Sequence, residues 1–151
     1  MYLWPVAILV LLVDQLSKWW VVSTLVPGES LSLPGGFMFL TQVHNQGAAF
    51  GILQGKSEVF VVCAVLVVAG LILYSSFYRI SCHAQLLTGL LVGGALGNFI
   101  DRIRLGYVID FLDLRWWPVF NVADVAIVCG GILLALYFFQ EERDKADHAS
   151  L

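Results

Sequence analysis

Charged residues are scarce in this sequence. Only 13% of its 151 residues are charged and 60% are hydrophobic, and the mean hydropathy is +0.86. Because soluble domains carry about a quarter charged residues, this chain has too few polar groups to present a water-facing surface on all sides. Disorder is excluded for the same reason. The net charge of −3 and the scattered basic residues leave no basic stripe, which excludes nucleic-acid binding.

Cysteine and histidine are few, and they lack the spacing of metal ligands. The three cysteines form no CxxC pair, and Cys82 is followed by His83 with no further partner at ligand spacing. We therefore expect neither a disulfide framework nor a metal or cofactor site. Cys63 and Cys129 lie in apolar runs and are expected to be buried or interfacial thiols.

Long apolar runs, by contrast, make up most of the chain. A helix needs about 20 mostly apolar residues to cross the hydrocarbon core of a membrane. Four segments qualify, approximately residues 4–26, 59–78, 84–100 and 119–139, of which the third is the shortest. The sequence therefore predicts an all-α membrane protein, with residues 1–151 forming one integral membrane domain built as a four-helix bundle.

Two long connections, residues 27–58 and 101–118, join the first span to the second and the third to the fourth. In a four-span protein these two connections lie on the same side of the membrane, so one face is elaborate and the other nearly bare. Turn signals around a short apolar stretch in residues 27–58 predict short strands at the membrane interface. Basic residues occur on both sides, so charge counting does not settle the orientation.

The first span contains two ionisable residues, Asp14 and Lys18. Such groups cost about 2.5 to 3.5 kcal/mol each at the centre of a membrane helix. Their i, i+4 spacing places them on one helical face, where they are able to form an ion pair. The pair either locks helix packing alone or supports a site in the half of the membrane nearest the elaborate face.

The end of the third span combines small residues with polar ones. The small residues allow another helix to approach closely, and the polar ones are spaced i, i+3 and i+4, so they share one helical face. An interfacial salt bridge from Asp101 to Arg102 or Arg104 is one structural explanation for the charges. The residues concerned are Gly93, Gly94, Gly97, Asn98, Asp101 and Arg102.

The fourth span opens with Asn121 and Asp124, spaced i, i+3, and no basic residue within that span neutralises Asp124. Asp110 lies in the preceding loop, on the same side of the membrane. Two carboxylates that are held close together titrate at separate pH values, which supplies one acid and one base. Aspartic proteases use this arrangement to activate water.

Five motifs follow one another along the chain. They are Asp14-x-x-x-Lys18, Val43-His44-Asn45-Gln46-Gly47-Ala48-Ala49-Phe50, Gly93-Gly94-x-x-Gly97-Asn98-x-x-Asp101-Arg102, Val108-Ile109-Asp110-Phe111 and Phe120-Asn121-Val122-Ala123-Asp124. In this order and spacing the sequence resembles the lipoprotein signal peptidases, the type II signal peptidases of bacteria, over nearly its whole length.

The resemblance implies an intramembrane aspartyl endopeptidase. Its substrates would be prolipoproteins, cut just before a cysteine that carries a diacylglyceryl group. Asp110 and Asp124 would be the catalytic dyad, one acting as general base on a water and the other, protonated, polarising the scissile carbonyl and later protonating the leaving amine. The residues implied to bind substrate or support the dyad are Asp14, Lys18, Asn45, Gly94, Asn98, Asp101, Arg102 and Asn121.

The resemblance also implies a location and an inhibitor. It places the protein in the bacterial inner membrane, with both termini in the cytoplasm, the dyad near the periplasmic face and a periplasmic cradle formed by residues 27–58. Globomycin, a cyclic peptide, is the implied inhibitor. No metal or cofactor is implied, and a monomer would suffice for the chemistry.

Two other classes of protein remain as alternatives at this point. A small four-span proton-coupled transporter would also use carboxylates embedded in the membrane, although polar residues gathered near one face do not supply a route across it. A structural subunit would use its polar groups only to hold helices together.

Overall fold

The computed structural model describes residues 2–47, 57–78 and 80–149. Within them lie four long helices: α1 Leu3–Thr24, α2 Ser57–Phe77, α3 Cys82–Leu105 and α4 Val122–Ala149. Each contains an apolar stretch long enough to cross a membrane. The predicted fold, a helical membrane protein with four spanning helices and a small β-rich element, is confirmed.

Helix α3 extends further than the sequence analysis predicted. It has 24 residues, against 22 for α1 and 21 for α2, so the expectation that the third span is the shortest is wrong. The helix continues through the polar residues after Phe99 because these find protein partners. It ends at Leu105 and is capped by Gly106, whose left-handed φ of 80° suits glycine. Helix α4 likewise runs past the predicted limit, through the charged tail to Ala149.

The glycines of α3 allow neighbouring helices to approach closely, as predicted. A Cβ atom on Gly93 would lie 2.6 Å from the carbonyl oxygen of Ala7 in α1. A Cβ atom on Gly94 would lie 2.5 Å from the carbonyl oxygen of Ala123 in α4. Because backbone atoms cannot move away as a flexible side chain does, these positions set the spacing of α1, α3 and α4.

Both long connections contribute to one antiparallel sheet. Strands β1 Ser30–Ser32, β2 Phe39–Asn45 and β3 Val108–Asp113 follow the spatial order β1-β2-β3. The first two come from the predicted cradle and the third from the second long connection, so the two connections do share one face. Asp110 was expected in a loop; it instead lies on β3, where it pairs with Val43.

The sheet packs against the end of α1 through an apolar cluster of Val21, Leu25, Leu40 and Phe111. Residues 48–56 of the predicted cradle lie outside the described residues.

All three cysteines are exposed on the protein surface. Of the two expectations, buried or interfacial thiols, the buried one is therefore wrong, because the apolar runs that carry Cys63 and Cys129 also have faces that point outward.

The tight contact at Gly93 predicts a large penalty for the smallest side chain. Gly93→Ala places a Cβ against backbone and should cost about 1 to 3 kcal/mol of stability, as overpacked cores do. Gly70→Ala is the matched control, since nothing lies within 4 Å of its added Cβ in α2. Thermal unfolding in detergent should show a lower midpoint for Gly93→Ala only; equal midpoints for the two variants would contradict this packing.

Candidate active site

The polar residues singled out in the sequence meet at one end of the bundle. They come from the second half of α1, the end of α3, the start of α4, and strands β2 and β3. The residues in contact through hydrogen bonds or ion pairs are Asp14, Lys18, Asn45, Asn98, Asp101, Asp110, Asn121 and Asp124. Five separate stretches of sequence thus form one buried polar cluster.

Asp110 is buried in this cluster, with 2% of its surface exposed. Its Oδ1 accepts a hydrogen bond of 2.6 Å from the amide Nδ2 of Asn121. Its Oδ2 accepts one of 2.7 Å from Nδ2 of Asn45, which lies on the neighbouring strand β2. The pairing of β2 with β3 therefore brings Asn45 to the carboxyl of Asp110.

Asp124 is held by the way helix α4 begins. The side-chain Oδ1 of Asn121 accepts from the N–H of Asp124 at 2.9 Å, and Asp124 Oδ2 accepts from the N–H of Asn121 at 3.1 Å. This reciprocal pattern is a capping box. The other oxygen, Oδ1, accepts from Nδ2 of Asn98 at 2.8 Å. Asn121 thus contacts both aspartates, one through its amide nitrogen and the other through its amide oxygen.

Burial and the neighbouring carboxylate change the acidity of Asp110. Loss of hydration raises the pKa of this carboxyl, and the charge of Asp124 raises it further, to about 7. Hydrogen bonds from Asn45 and Asn121 act in the opposite direction but are outweighed. At neutral pH the Asp110 carboxyl is therefore partly protonated.

Lys18 forms the predicted pair with Asp14 and a second one that the sequence did not indicate. Its ammonium lies 2.8 Å from Asp14 Oδ2, 2.8 Å from Asp101 Oδ2 and 3.0 Å from Asn98 Oδ1. The expected salt bridge from Asp101 to Arg102 or Arg104 is wrong, since Asp101 turns toward Lys18. The guanidinium of Arg102 instead donates to the carbonyl oxygens of Asn98 and Gly47 and lies over the ring of Phe60.

Gln15 and Gly94 also lie beside the polar cluster. Gln15 was missed, yet its Nε2 donates to Asp101 Oδ1 at 3.0 Å and to Asp14 Oδ2 at 3.2 Å. Its position beside Asp14 inside an apolar span was the available signal. Gly94, which was expected to line the site, packs against the α4 backbone at Ala123, one residue before Asp124.

An apolar cavity of about 370 Å³ opens beside Asp124. Asp124 is the one charged residue in its lining, which consists of Leu114, Trp116, Trp117, Phe120, Asp124, Val125, Val128 and Cys129. Among residues 2–47, 57–78 and 80–149, no group of three or more His, Cys, Asp or Glu side chains is placed to hold a metal ion. The cavity therefore suits an apolar group held next to a carboxylate.

The protein has four apolar helices and, at one end of them, two carboxyl groups that asparagine residues hold by hydrogen bonds. These features define a multi-pass membrane protein with an enclosed polar site. The family model described as Signal peptidase (SPase) II matches residues 6–140. The chain belongs to this signal peptidase II family and is a membrane peptidase by family. Neither the transporter nor the structural-subunit alternative accounts for this match.

Individual relatives agree with the family match. A lipoprotein signal peptidase of Syntrophomonas wolfei subsp. wolfei is 52% identical over 136 residues, which cover 90% of this chain and 91% of that protein. One from Moorella thermoacetica is 53% identical over 131 residues, covering 85% and 86%. A solved structure described as a bacterial membrane enzyme has a TM-score of 0.86 at 32% identity and covers 93% of this chain and 89% of that one.

The raised pKa of Asp110 predicts a carboxyl that loses its proton near pH 7. A raised pKa means that the protonated form persists to higher pH than usual. Infrared spectra recorded between about pH 5 and 9 should contain a protonated-carboxyl band that disappears with a midpoint near 7. The component with a midpoint near 7 should be missing from Asp110→Asn; identical titrations of the two proteins would show that Asp110 does not titrate in this range.

Proposed function

We propose that this chain removes signal peptides from bacterial prolipoproteins, cutting just before a cysteine that carries a diacylglyceryl group. Asp110 and Asp124 act as the catalytic dyad. The observation that carries the proposal is their arrangement at the end of a membrane bundle: Asn121 donates to the carboxylate of Asp110 from its side chain and to that of Asp124 from its backbone N–H. Relatives with more than half of their matched residues identical are named lipoprotein signal peptidases.

In the proposed reaction Asp110 carries the proton, since its pKa is raised to about 7. Its O–H polarises the scissile carbonyl, while Asp124 takes a proton from the attacking water, whose oxygen bonds to the carbonyl carbon. The C–N bond then breaks, and the amine leaves with a proton from the dyad. Asn45, Asn98 and Asn121 hold the two carboxyls in position through the hydrogen bonds described above.

The apolar cavity beside Asp124 supports a lipid-bearing substrate. The diacylglyceryl group is attached next to the scissile bond, so an acyl chain has to lie within a few ångströms of the dyad. The cavity offers an apolar path there, flanked by Trp116 and Trp117, residues typical of the membrane interface. We assign it to an acyl chain of the substrate.

The remaining features of the proposal follow from the family. The protein lies in the bacterial inner membrane with both termini in the cytoplasm and the dyad near the periplasmic face. Globomycin inhibits it by occupying the dyad. A monomer suffices for this chemistry, because one chain carries both Asp110 and Asp124.

The dyad assignment predicts loss of cleavage without loss of folding. Asp110→Asn and Asp124→Asn each should lower kcat on the order of 10⁴-fold, as loss of a catalytic group does in other proteases. The measurement is release of a fragment that begins at the lipidated cysteine, from a synthetic diacylglyceryl-modified peptide, by purified protein in detergent.

Asp113→Asn is the matched control, because Asp113 lies on the same strand but contacts Thr41 and Arg115 rather than the dyad. It should cleave at close to the wild-type rate, and globomycin should silence the wild type. The dyad assignment fails if either dyad variant, well folded by thermal unfolding, cleaves as fast as Asp113→Asn.

The acyl-chain assignment predicts a selective effect on KM. Cys129→Phe fills part of the cavity and should raise KM about tenfold, in the range that changes to apolar pockets produce, with a larger effect for longer acyl chains. Cys63→Phe adds the same ring to an exposed cysteine of α2 outside this cavity and should leave KM unchanged. Equal KM values for the two variants would mean that the acyl chain binds elsewhere.

A further inference from the structure

Two backbone amides lie directly before the candidate catalytic aspartates, and buried carboxylates hold both of them. The N–H of Ala123, the residue before Asp124, donates to Asp14 Oδ1 at 2.9 Å. The N–H of Ile109, the residue before Asp110, donates to Asp101 Oδ2 at 3.2 Å. Each of these carboxylates therefore fixes the peptide unit that leads into one member of the dyad.

The same two carboxylates are tied to each other. The ammonium of Lys18 lies 2.8 Å from an oxygen of Asp14 and 2.8 Å from an oxygen of Asp101. Gln15 Nε2 bridges the same pair at 3.2 Å and 3.0 Å. Asp14 and Asp101 are 0% and 3% exposed, so water does not compete for these contacts.

The backbone of α3 also limits the movement of Asp14. A Cβ atom on Gly97 would lie 2.5 Å from Asp14 Oδ2, so the carboxylate lies directly against this glycine. Asp14 thus has Lys18 and Gln15 on one oxygen, Ala123 on the other and the α3 backbone behind it. Its position determines that of the first turn of α4.

We propose that Asp14, Lys18 and Asp101 form a clamp that sets the separation of the Asp110 and Asp124 carboxyls. The three are positioning residues. Asp101 and Asp14 are the two arms of the clamp: Asp101 holds β3 and Asp14 holds α4, each at the residue before a member of the dyad. Lys18 joins the two arms. The consequence for catalysis rests on the proposed function, whereas the geometric consequence does not. Deletion of an arm lets one aspartate move relative to the other.

Paired substitutions separate the hydrogen bond of each arm from its charge. Asp101→Asn removes the charge but keeps a side-chain oxygen that accepts from the N–H of Ile109, and Asp101→Val removes both. Asp14→Asn and Asp14→Val are the corresponding pair on the other arm, where the asparagine oxygen accepts from the N–H of Ala123 and its amide nitrogen replaces the oxygen that faces Lys18 and Gln15. The second pair tests the clamp if Asp101→Val does not fold.

The clamp predicts that kcat per folded molecule is about 100-fold lower in the valine variant than in the asparagine variant, as expected for a displacement of about 1 Å at a reacting group. KM should agree within about twofold, because the three clamp side chains are buried inside the protein. Residues that serve packing alone would lower the amount of folded protein and leave kcat per folded molecule equal in the two variants. That result, or a loss confined to KM, overturns the proposal.

A second readout does not need activity. The charged groups acting on the Asp110 carboxyl are Asp124 of α4, Lys18 of α1 and Arg102 of α3. The asparagine and valine variants of one arm remove the same negative charge, so both leave the same charged groups around Asp110. When an arm releases, the carboxyls separate, so the infrared midpoint of Asp110 should move to lower pH in the valine variant but not in the asparagine variant. If the wild type cleaves no substrate but the valine variant still shows this shift, the clamp stands and the proposed function is refuted. Equal midpoints within both pairs would refute the clamp.

Discussion

An ammonium inside an apolar span must find all its partners within the protein, and the partners of Lys18 determine how the site is assembled. Its contacts with Asp14, Asp101 and Asn98 join α1 to α3. Removing one partner of a buried pair leaves an uncompensated charge and costs about 3 to 5 kcal/mol. The pair distances are attainable only because α1 approaches α3 at glycine positions such as Gly93. Close packing and charge neutralisation therefore depend on one another.

The start of α4 combines a structural and a chemical role. The first N–H groups of any helix lack partners within the helix, and here Asn121 and Asp14 accept from two of them. Both acceptors also belong to the polar cluster, since Asn121 binds Asp110 and Asp14 binds Lys18. A change at either residue therefore affects the helix end and the carboxylate pair together.

Local spacing was sufficient to predict only part of this arrangement. The four spans follow from hydropathy, and the Asp14–Lys18 pair follows from i, i+4 spacing on one helix. The contact of Lys18 with Asp101 was not predictable, because it depends on how closely α1 and α3 approach. The length of α3 was underestimated since polar residues after a span resemble its boundary until their partners are known. Likewise, only the pairing of β2 with β3 reveals that Asp110 is a strand residue next to Asn45.

The two aspartates are exposed to different degrees, and the proposed division of labour follows from that difference. Asp110 is enclosed between β2 and the start of α4, whereas Asp124 is half-buried and lines the apolar cavity. A carboxyl removed from water favours its neutral form, which suits Asp110 to carry the proton. A base has to reach the attacking water directly, and Asp124 borders the space through which water and substrate approach. In the proposed reaction the acid is therefore the carboxyl that the fold encloses more completely, and the base is the one that borders the open cavity.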